Sequence, residues 1–311
     1  MMDVIKTRIP DTREEWLANR MNGIGGSDAG AVLGFNQYKS PYTLWCEKTG
    51  RIDSDVPDNE SMRQGRDLED YVARRWMEAT GKKVRKSGFS FQSKEHPFML
   101  ANVDRLVIGE KAGLECKTAN ALTRTHYDRG DIPATYYAQC MHYMAVTGLE
   151  RWYIAILVMG KGFYTYTIER DDKEIEALIS AEEDFWNGVT NGVEPEIDGS
   201  QSTSDTLAAL YPESGGETED LPELDDAAVM LDDISARMKE LEKMKRQYEN
   251  RIKDAMKDIE KCDTGSAVIT WKSFQSGRID TKKLREEMPD IYEKYVKQSS
   301  SRRFTLKMKN R

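Results

Sequence analysis

The chain has 311 residues, 32% of them charged, and carries a net charge of −8 at pH 7. That length provides one large or two modest domains with a sizeable buried core. No apolar run approaches the ~20 residues of a membrane span, and the N-terminal MMDVIKTRIPDTREEW lacks the apolar stretch of a secretory signal.

In chain order, the first informative stretch is RMNGIGGSDAGAVLG, beginning at Arg20. Gly-Gly-Ser opening a helix offers free backbone amides and an N-cap hydroxyl at Ser27, a setting that suits a terminal phosphate. Standing alone, the stretch is better read as an ordinary N-cap after a flexible turn. Residues 62–79 are expected to form an amphipathic helix, with Leu68, Val72 and Trp76 four apart. Glu69 falls beside that stripe, where an acid is costly unless paired. FSFQ and FMLANVDRLV read as strands, IGEKAG as a turn and GLECKT as a further strand. ATYYAQCMHYMAVTG reads as a helix ended by Gly148, with Tyr136 and Gln139 at i, i+3 on one face. RWYIAILVM and GFYTYTIER pair as a hairpin through Gly160-Lys-Gly, and KEIEALISAEEDFWNGV closes this body as a helix.

Residues 192–233 hold 13 acids and no Lys or Arg, and read as a linker or surface-wrapping loop. Over 224–259, Leu231, Ile234, Met238, Leu241, Tyr248, Ile252 and Ile259 follow a 3/4 alternation interrupted by Lys245. That pattern fits a coiled coil, a helix hairpin or one face of a long ordinary helix. SAVITWKSF and RRFTLKMK return to strand character, and residues 261–311 carry 13 basic against 6 acidic residues. Such a local cationic surface can bind phosphate whatever the total charge. The domain boundaries expected are 1–191 for a core, 192–223 for an acidic linker and 224–311 for a helix with a basic appendage.

Cys46, Cys116, Cys140 and Cys262 stand far apart without a C-x-x-C pair, and His96, His126 and His142 lack ligand spacing. Neither a zinc site nor an iron–sulfur cluster is expected, and isolated reduced cysteines fit a cytoplasmic protein. The chemistry concentrates instead in ANVDRLVIGEKAGLECKT. Alternation on a strand puts Glu115 and Lys117 on one face and Cys116 on the other. A paired strand would bring Asp104 to the same point. Carboxylates that meet need a cation, and oxygen donors without His or Cys select Mg²⁺ or Mn²⁺. Taken alone, E-x-K is common, and the hairpin is better read as a cross-strand Glu–Lys pair beside an unrelated Asp.

In order and spacing, W-x3-R-x6-S-D, G-x3-E, D-x10-E-x-K and Y-x-x-Q resemble the phage lambda exonuclease family, also called YqaJ-like viral recombinases, over residues 14–190. The resemblance implies an α/β, restriction-endonuclease-like core of the PD-(D/E)xK superfamily. That core is a central mixed sheet flanked by helices, here extended by a coiled-coil-like helix and a small α/β part. It implies 5′→3′ digestion of one strand of linear double-stranded DNA, leaving 3′ overhangs for recombination by single-strand annealing. Asp104 and Glu115 would hold Mg²⁺, with the Cys116 carbonyl as a backbone ligand and Glu69 completing a second ion's site; Mn²⁺ is able to substitute. Lys117 would handle the water, Gln139 and Tyr136 would support nucleophile and substrate, and Arg20 and Ser27 would grip the 5′ phosphate. Expected partners are a 5′-phosphorylated duplex end, a single-strand annealing protein and further copies in a trimeric ring, within a bacterial host that carries the phage or prophage. Two other readings stay open: a structure-specific or nicking endonuclease on the same core, and a catalytically inactive DNA-binding scaffold.

Overall fold

A computed structural model describes residues 4–54, 58–123, 125–298 and 301–309. The chain divides into two compact units, Met1–Tyr211 and Pro212–Arg311. The first opens with β1 (Val4–Arg8), α1 (Arg13–Met21), β2 (Ile24–Gly25), α2 (Gly26–Val32) and α3 (Pro41–Lys48). Then come α4 (Glu60–Thr80), β3 (Val84–Lys86), β4 (Phe89–Ser93), β5 (Met99–Ala101), β6 (Arg105–Val107) and β7 (Ala112–Ala119). It closes with α5 (Ala134–Thr147), β8 (Arg151–Val158), β9 (Gly162–Glu169), α6 (Asp172–Asn191) and α7 (Gln201–Leu210).

The central sheet is five-stranded in the order β3-β6-β7-β8-β9. It is mixed: β7 and β8 run parallel, and the other pairs are antiparallel. β8 is buried almost throughout because both of its faces are covered, which is why it reads as a continuous apolar run. Its Trp152, Ile154 and Ile156 join the core that includes α5, and its Tyr153 and Ala155 pack with Val72, Ala73 and Trp76 of α4. α5 is apolar nearly all round because it lies between sheet and helices, touching α2, α6, β5 and β8.

A second sheet has four strands in the order β1-β4-β5-β2. The stretch expected as one strand, FMLANVDRLV, is two: β5 pairs in the four-stranded sheet and β6 in the five-stranded one. Asn102, Val103 and Asp104 make the crossing, so Asp104 sits at the junction of the sheets and not within a ladder.

The acidic segment is likewise not all linker. α7 packs on α3 through buried hydroxyls, Thr43 Oγ1 bonding Ser202 Oγ at 2.7 Å and Thr206 Oγ1 at 2.8 Å. The first unit therefore runs to Tyr211 instead of ending at 191, and residues 212–221 carry no helix or strand.

In the second unit α8 (Asp225–Met256) is one uninterrupted helix whose only buried residue is Met256. β10 (Lys261–Asp263) and β11 (Val268–Thr270) form an antiparallel pair, followed by α9 (Thr281–Glu287) and α10 (Pro289–Tyr295). The strand expected in SAVITWKSF shortens to β11, beyond which the Trp271 N–H still donates to the Glu260 carbonyl at 2.9 Å. RRFTLKMK forms no strand at 301–309, where the described backbone has no ladder partner. No helix among the described residues is long and apolar enough to cross a membrane.

Candidate active site

Alternation along β7 sorts its side chains. Leu114 and Cys116 pack beneath α4, whereas Glu115 and Lys117 turn toward α5. Asp104 reaches the same strand from the junction, and its Oδ2 accepts the Cys116 N–H at 2.8 Å. From α5, Gln139 Nε2 donates to Glu115 Oε1 at 2.8 Å and to the Tyr143 hydroxyl at 2.8 Å. Lys117 Nζ donates to Gln139 Oε1 at 2.9 Å, lies 2.7 Å from Glu115 Oε1 and sits 5.0 Å from the Tyr136 ring centre. Five of the residues singled out from the sequence thus meet at one place: Asp104, Glu115, Lys117, Gln139 and Tyr136.

The site is starved of solvent, with Glu115 4% and Gln139 6% exposed. Burial, then the Glu115 and Glu69 carboxylates, raise the Asp104 carboxyl well above its ordinary range. Burial alone would lower Lys117, but Glu115 and Asp104 outweigh it and hold an ammonium, a donor and not a base. Glu115 Oε2 is buried with no hydrogen-bond partner. An orphaned carboxylate oxygen beside a second carboxyl driven toward protonation is a donor set that fits a hard divalent cation. The thiol of Cys116 faces away and burial raises it far above the usual thiol range, so only its backbone is placed for this chemistry.

Glu69 stands slightly apart. Arg105, 4% exposed, lies on the α4 side of β6; it pairs with Glu69, bonds Asp70 Oδ1 at 2.5 Å and donates to the Asp104 carbonyl at 2.7 Å. Among the described residues no three acidic, His or Cys side chains converge as a metal-ligand group, so Glu69 is held by Arg105 and not by a shared site with Asp104 and Glu115.

Arg20 and Ser27 line a pocket of about 330 Å³ whose wall also includes Trp16, Asn102 and Tyr143. Gly25, not Ser27, is the N-cap of α2, its N–H donating to Asp28 Oδ2 at 3.2 Å. Ser27 therefore lies within the first turn. The Arg20 guanidinium stacks 4.9 Å over Trp16 and donates to Asp28 Oδ1 at 2.7 Å. Lys48 Nζ, from the end of α3, reaches Asp28 Oδ2 at 2.9 Å. Burial alone would raise Asp28, but Lys48 and Arg20 hold its carboxyl well below the usual carboxylate range. Two cations share one carboxylate, leaving the trio with one net positive charge, and of the three only Arg20 lines the pocket. The pocket also touches the carboxylate cluster: the Tyr143 hydroxyl accepts from Gln139 and donates to the Asn102 carbonyl at 3.0 Å.

Residues 15–150 match the YqaJ-like viral recombinase domain. Over 305 residues the chain is 40% identical to the uncharacterized protein YqaJ of Bacillus subtilis strain 168, spanning 95% of this chain and 94% of that one. The chain belongs to the YqaJ-like viral recombinase family. Among solved structures, this YqaJ-like chain resembles the alkaline exonuclease LHK-Exo of Laribacter hongkongensis, with TM-score 0.50, 21% identity, and coverage of 64% of this chain and 100% of that one. The same exonuclease in complex with dAMP matches with TM-score 0.51. The likeness establishes the fold of the YqaJ-like core as the mixed sheet flanked by helices that the sequence predicts.

Lys48, Arg105, Tyr143 and Asn102 carry the geometry without having been singled out in the sequence. In the sequence Asp28 stands out only as the second residue of the S-D pair. Lys48 gave no sign, because its partner lies twenty positions away on another helix. Arg105 was visible as a charge inside an apolar strand, which demands a partner.

Proposed function

We propose that this protein is a Mg²⁺-dependent 5′→3′ exonuclease that resects one strand of linear double-stranded DNA. The 3′ overhangs it leaves would serve phage-type recombination by single-strand annealing, with an annealing protein as partner and a trimeric ring as the assembly. The observation that carries this reading is the shared wall. A pocket of about 330 Å³ that carries Arg20 and a buried carboxylate–lysine–amide cluster are joined through Tyr143 and Asn102. That arrangement suits an enzyme that seats a terminal phosphate and cuts the adjacent bond.

Asp104 and Glu115, with the Cys116 carbonyl, would hold one ion, and Glu69 would serve a second once Arg105 releases it. A bound divalent cation supplies Lewis acidity at the phosphate and lowers the pKa of bound water. The chain's own residues do the rest. Lys117, kept charged by Glu115, donates to oxygens on the attacking water or the phosphate. Gln139 bridges Glu115 and Lys117, and the Tyr136 ring faces the ammonium at 5.0 Å. Arg20, oriented by Trp16 and Asp28, offers its free guanidinium edge to the 5′ phosphate, a charge-assisted contact that arginine's planar fork favours.

Digestion of linear 5′-phosphorylated, linear 5′-hydroxyl, nicked and covalently closed DNA with Mg²⁺ tests the reading. Expected is fast loss of the phosphorylated linear substrate, a preference that Arg20→Ala erases. Equal rates on phosphate and hydroxyl ends would remove the pocket from the reaction, and cleavage of closed circles would make the protein an endonuclease.

A further inference from the structure

α8 poses a problem of physical economy. A helix of 32 residues with a single buried side chain draws little stability from packing within the second unit. Its apolar side chains are nonetheless in strict order. Leu231, Met238, Lys245 and Ile252 are seven apart, and Ala227, Ile234, Leu241, Tyr248 and Ala255 fill the intervening fourth positions. Ile234, Met238, Leu241 and Tyr248 are 47–63% exposed. An exposed a/d seam of this length is built to face another helix.

Charge selects the helix. Residues 225–240 carry five acids against two bases, whereas 241–256 carry five bases against three acids. A second copy laid antiparallel sets the acidic half of each helix against the basic half of the other. Parallel alignment sets like against like. Lys245 decides in the same direction. In a parallel pair the two Lys245 ammoniums meet in the seam; in an antiparallel pair they stand about 16 Å apart along the axis, at 1.5 Å per residue, beyond a Debye length.

We propose that α8 is a self-association surface that pairs with α8 of a second copy of this chain as an antiparallel coiled coil. The register that maximises apolar overlap stacks Met238 on Leu241 of the second copy and Leu231 on its Tyr248. Each Lys245 then packs its stem on Ile234 while its ammonium enters the acidic half of the opposite helix. The pair is isologous, with a two-fold axis crossing the helices near residues 239 and 240. The inference stands on α8 alone and does not depend on the nuclease reading.

Sedimentation velocity on the full chain at micromolar concentration tests the surface. Ile234→Asp puts a charge in the seam without touching the first unit, and its expected effect is to halve the mass of the parent assembly. An unchanged mass overturns the proposal. Orientation is read with a short bismaleimide in a Cys262→Ser background. Chains carrying Leu231→Cys mixed with chains carrying Tyr248→Cys should cross-link to each other, and Leu231→Cys alone should not. Efficient self-linking of Leu231→Cys would mean a parallel pair and overturn the antiparallel assignment.

Discussion

Replacing Asp28 with asparagine removes the one anion between two cations while leaving the shape of the side chain intact. Asp28 is 1% exposed, and the Lys48 side chain is 3% exposed, so water cannot take over the lost interaction at either atom. Breaking a buried pair by neutralising one partner costs about 3–5 kcal/mol, because the other charge stays buried and uncompensated. With a urea slope of about 2 kcal/mol per molar, the unfolding midpoint should fall by roughly 2 M. The assay is tryptophan fluorescence in urea, to which Trp16 and Trp45 report from neighbouring helices. Because the folded carboxyl lies below its ordinary value of 3.8, its contribution is complete above that value and is lost as pH falls through the depressed one. The deficit of Asp28→Asn should therefore be constant from pH 5 to 8 and shrink only in stronger acid. Lys48→Met alone should cost a similar amount, and the double variant should recover most of the loss, since neither position then leaves a buried charge uncompensated by the other. A single-variant cost below about 1 kcal/mol, or two costs that simply add, would refute the account of Asp28 and Lys48 as a coupled buried pair.

Glu115→Ala and Lys117→Ala should each lower cleavage by about 10²–10³-fold while leaving duplex binding in place, read by single-turnover digestion beside a filter-binding assay; loss of binding in step with rate would assign them to substrate affinity. His142 is wholly buried, donating to Glu182 at 2.8 Å and to the Leu100 carbonyl at 2.9 Å. Burial alone would lower its pKa, but Glu182 raises it above the ordinary 6.5, so its stabilisation is complete below that value and is lost as pH rises through the raised one. Thermal melts should show a fall in Tm on the alkaline side of neutrality that His142→Gln abolishes. A chain ending at Tyr211 should fold as cooperatively as the parent core, and one ending at residue 191 should melt lower, because it uncovers Ser40 and Thr43; equal melting of the two would deny α7 its place in the core.

What the sequence revealed and what it concealed divide along physical lines. α4 and β9 were legible because each sustains one period over many residues, α5 and β8 because each is a long apolar run, and Gly148 marks a helix end with positive φ. The carboxylates, Lys117 and Gln139 were legible as residue types at suggestive spacings, yet their common burial was not, since it depends on α5 crossing β7. The break between β5 and β6 was invisible because both halves are apolar and extended. α7 was invisible because the face it buries is made of hydroxyls. The glycines before and within α2 were read as turn chemistry, and Gly26 and Gly30 proved to be packing residues: a Cβ on either would meet Tyr143 or Thr135 within 2.9 Å.

That last contact sets a length. With Gly26 pressed against Tyr143, α2 has no room to slide along α5, and the pocket that Arg20 lines is clamped to the helix that carries Gln139. On the proposed reading, the separation between a seated 5′ phosphate and the carboxylates is then a fixed gauge, independent of the base that occupies it. Each cut would remove the same increment of backbone, and the sequence of the strand would enter only through how readily its end peels from the duplex. An alanine at position 26, by pushing the two helices apart, would blur the gauge before it emptied the site, and the mark of that change would be products of mixed length.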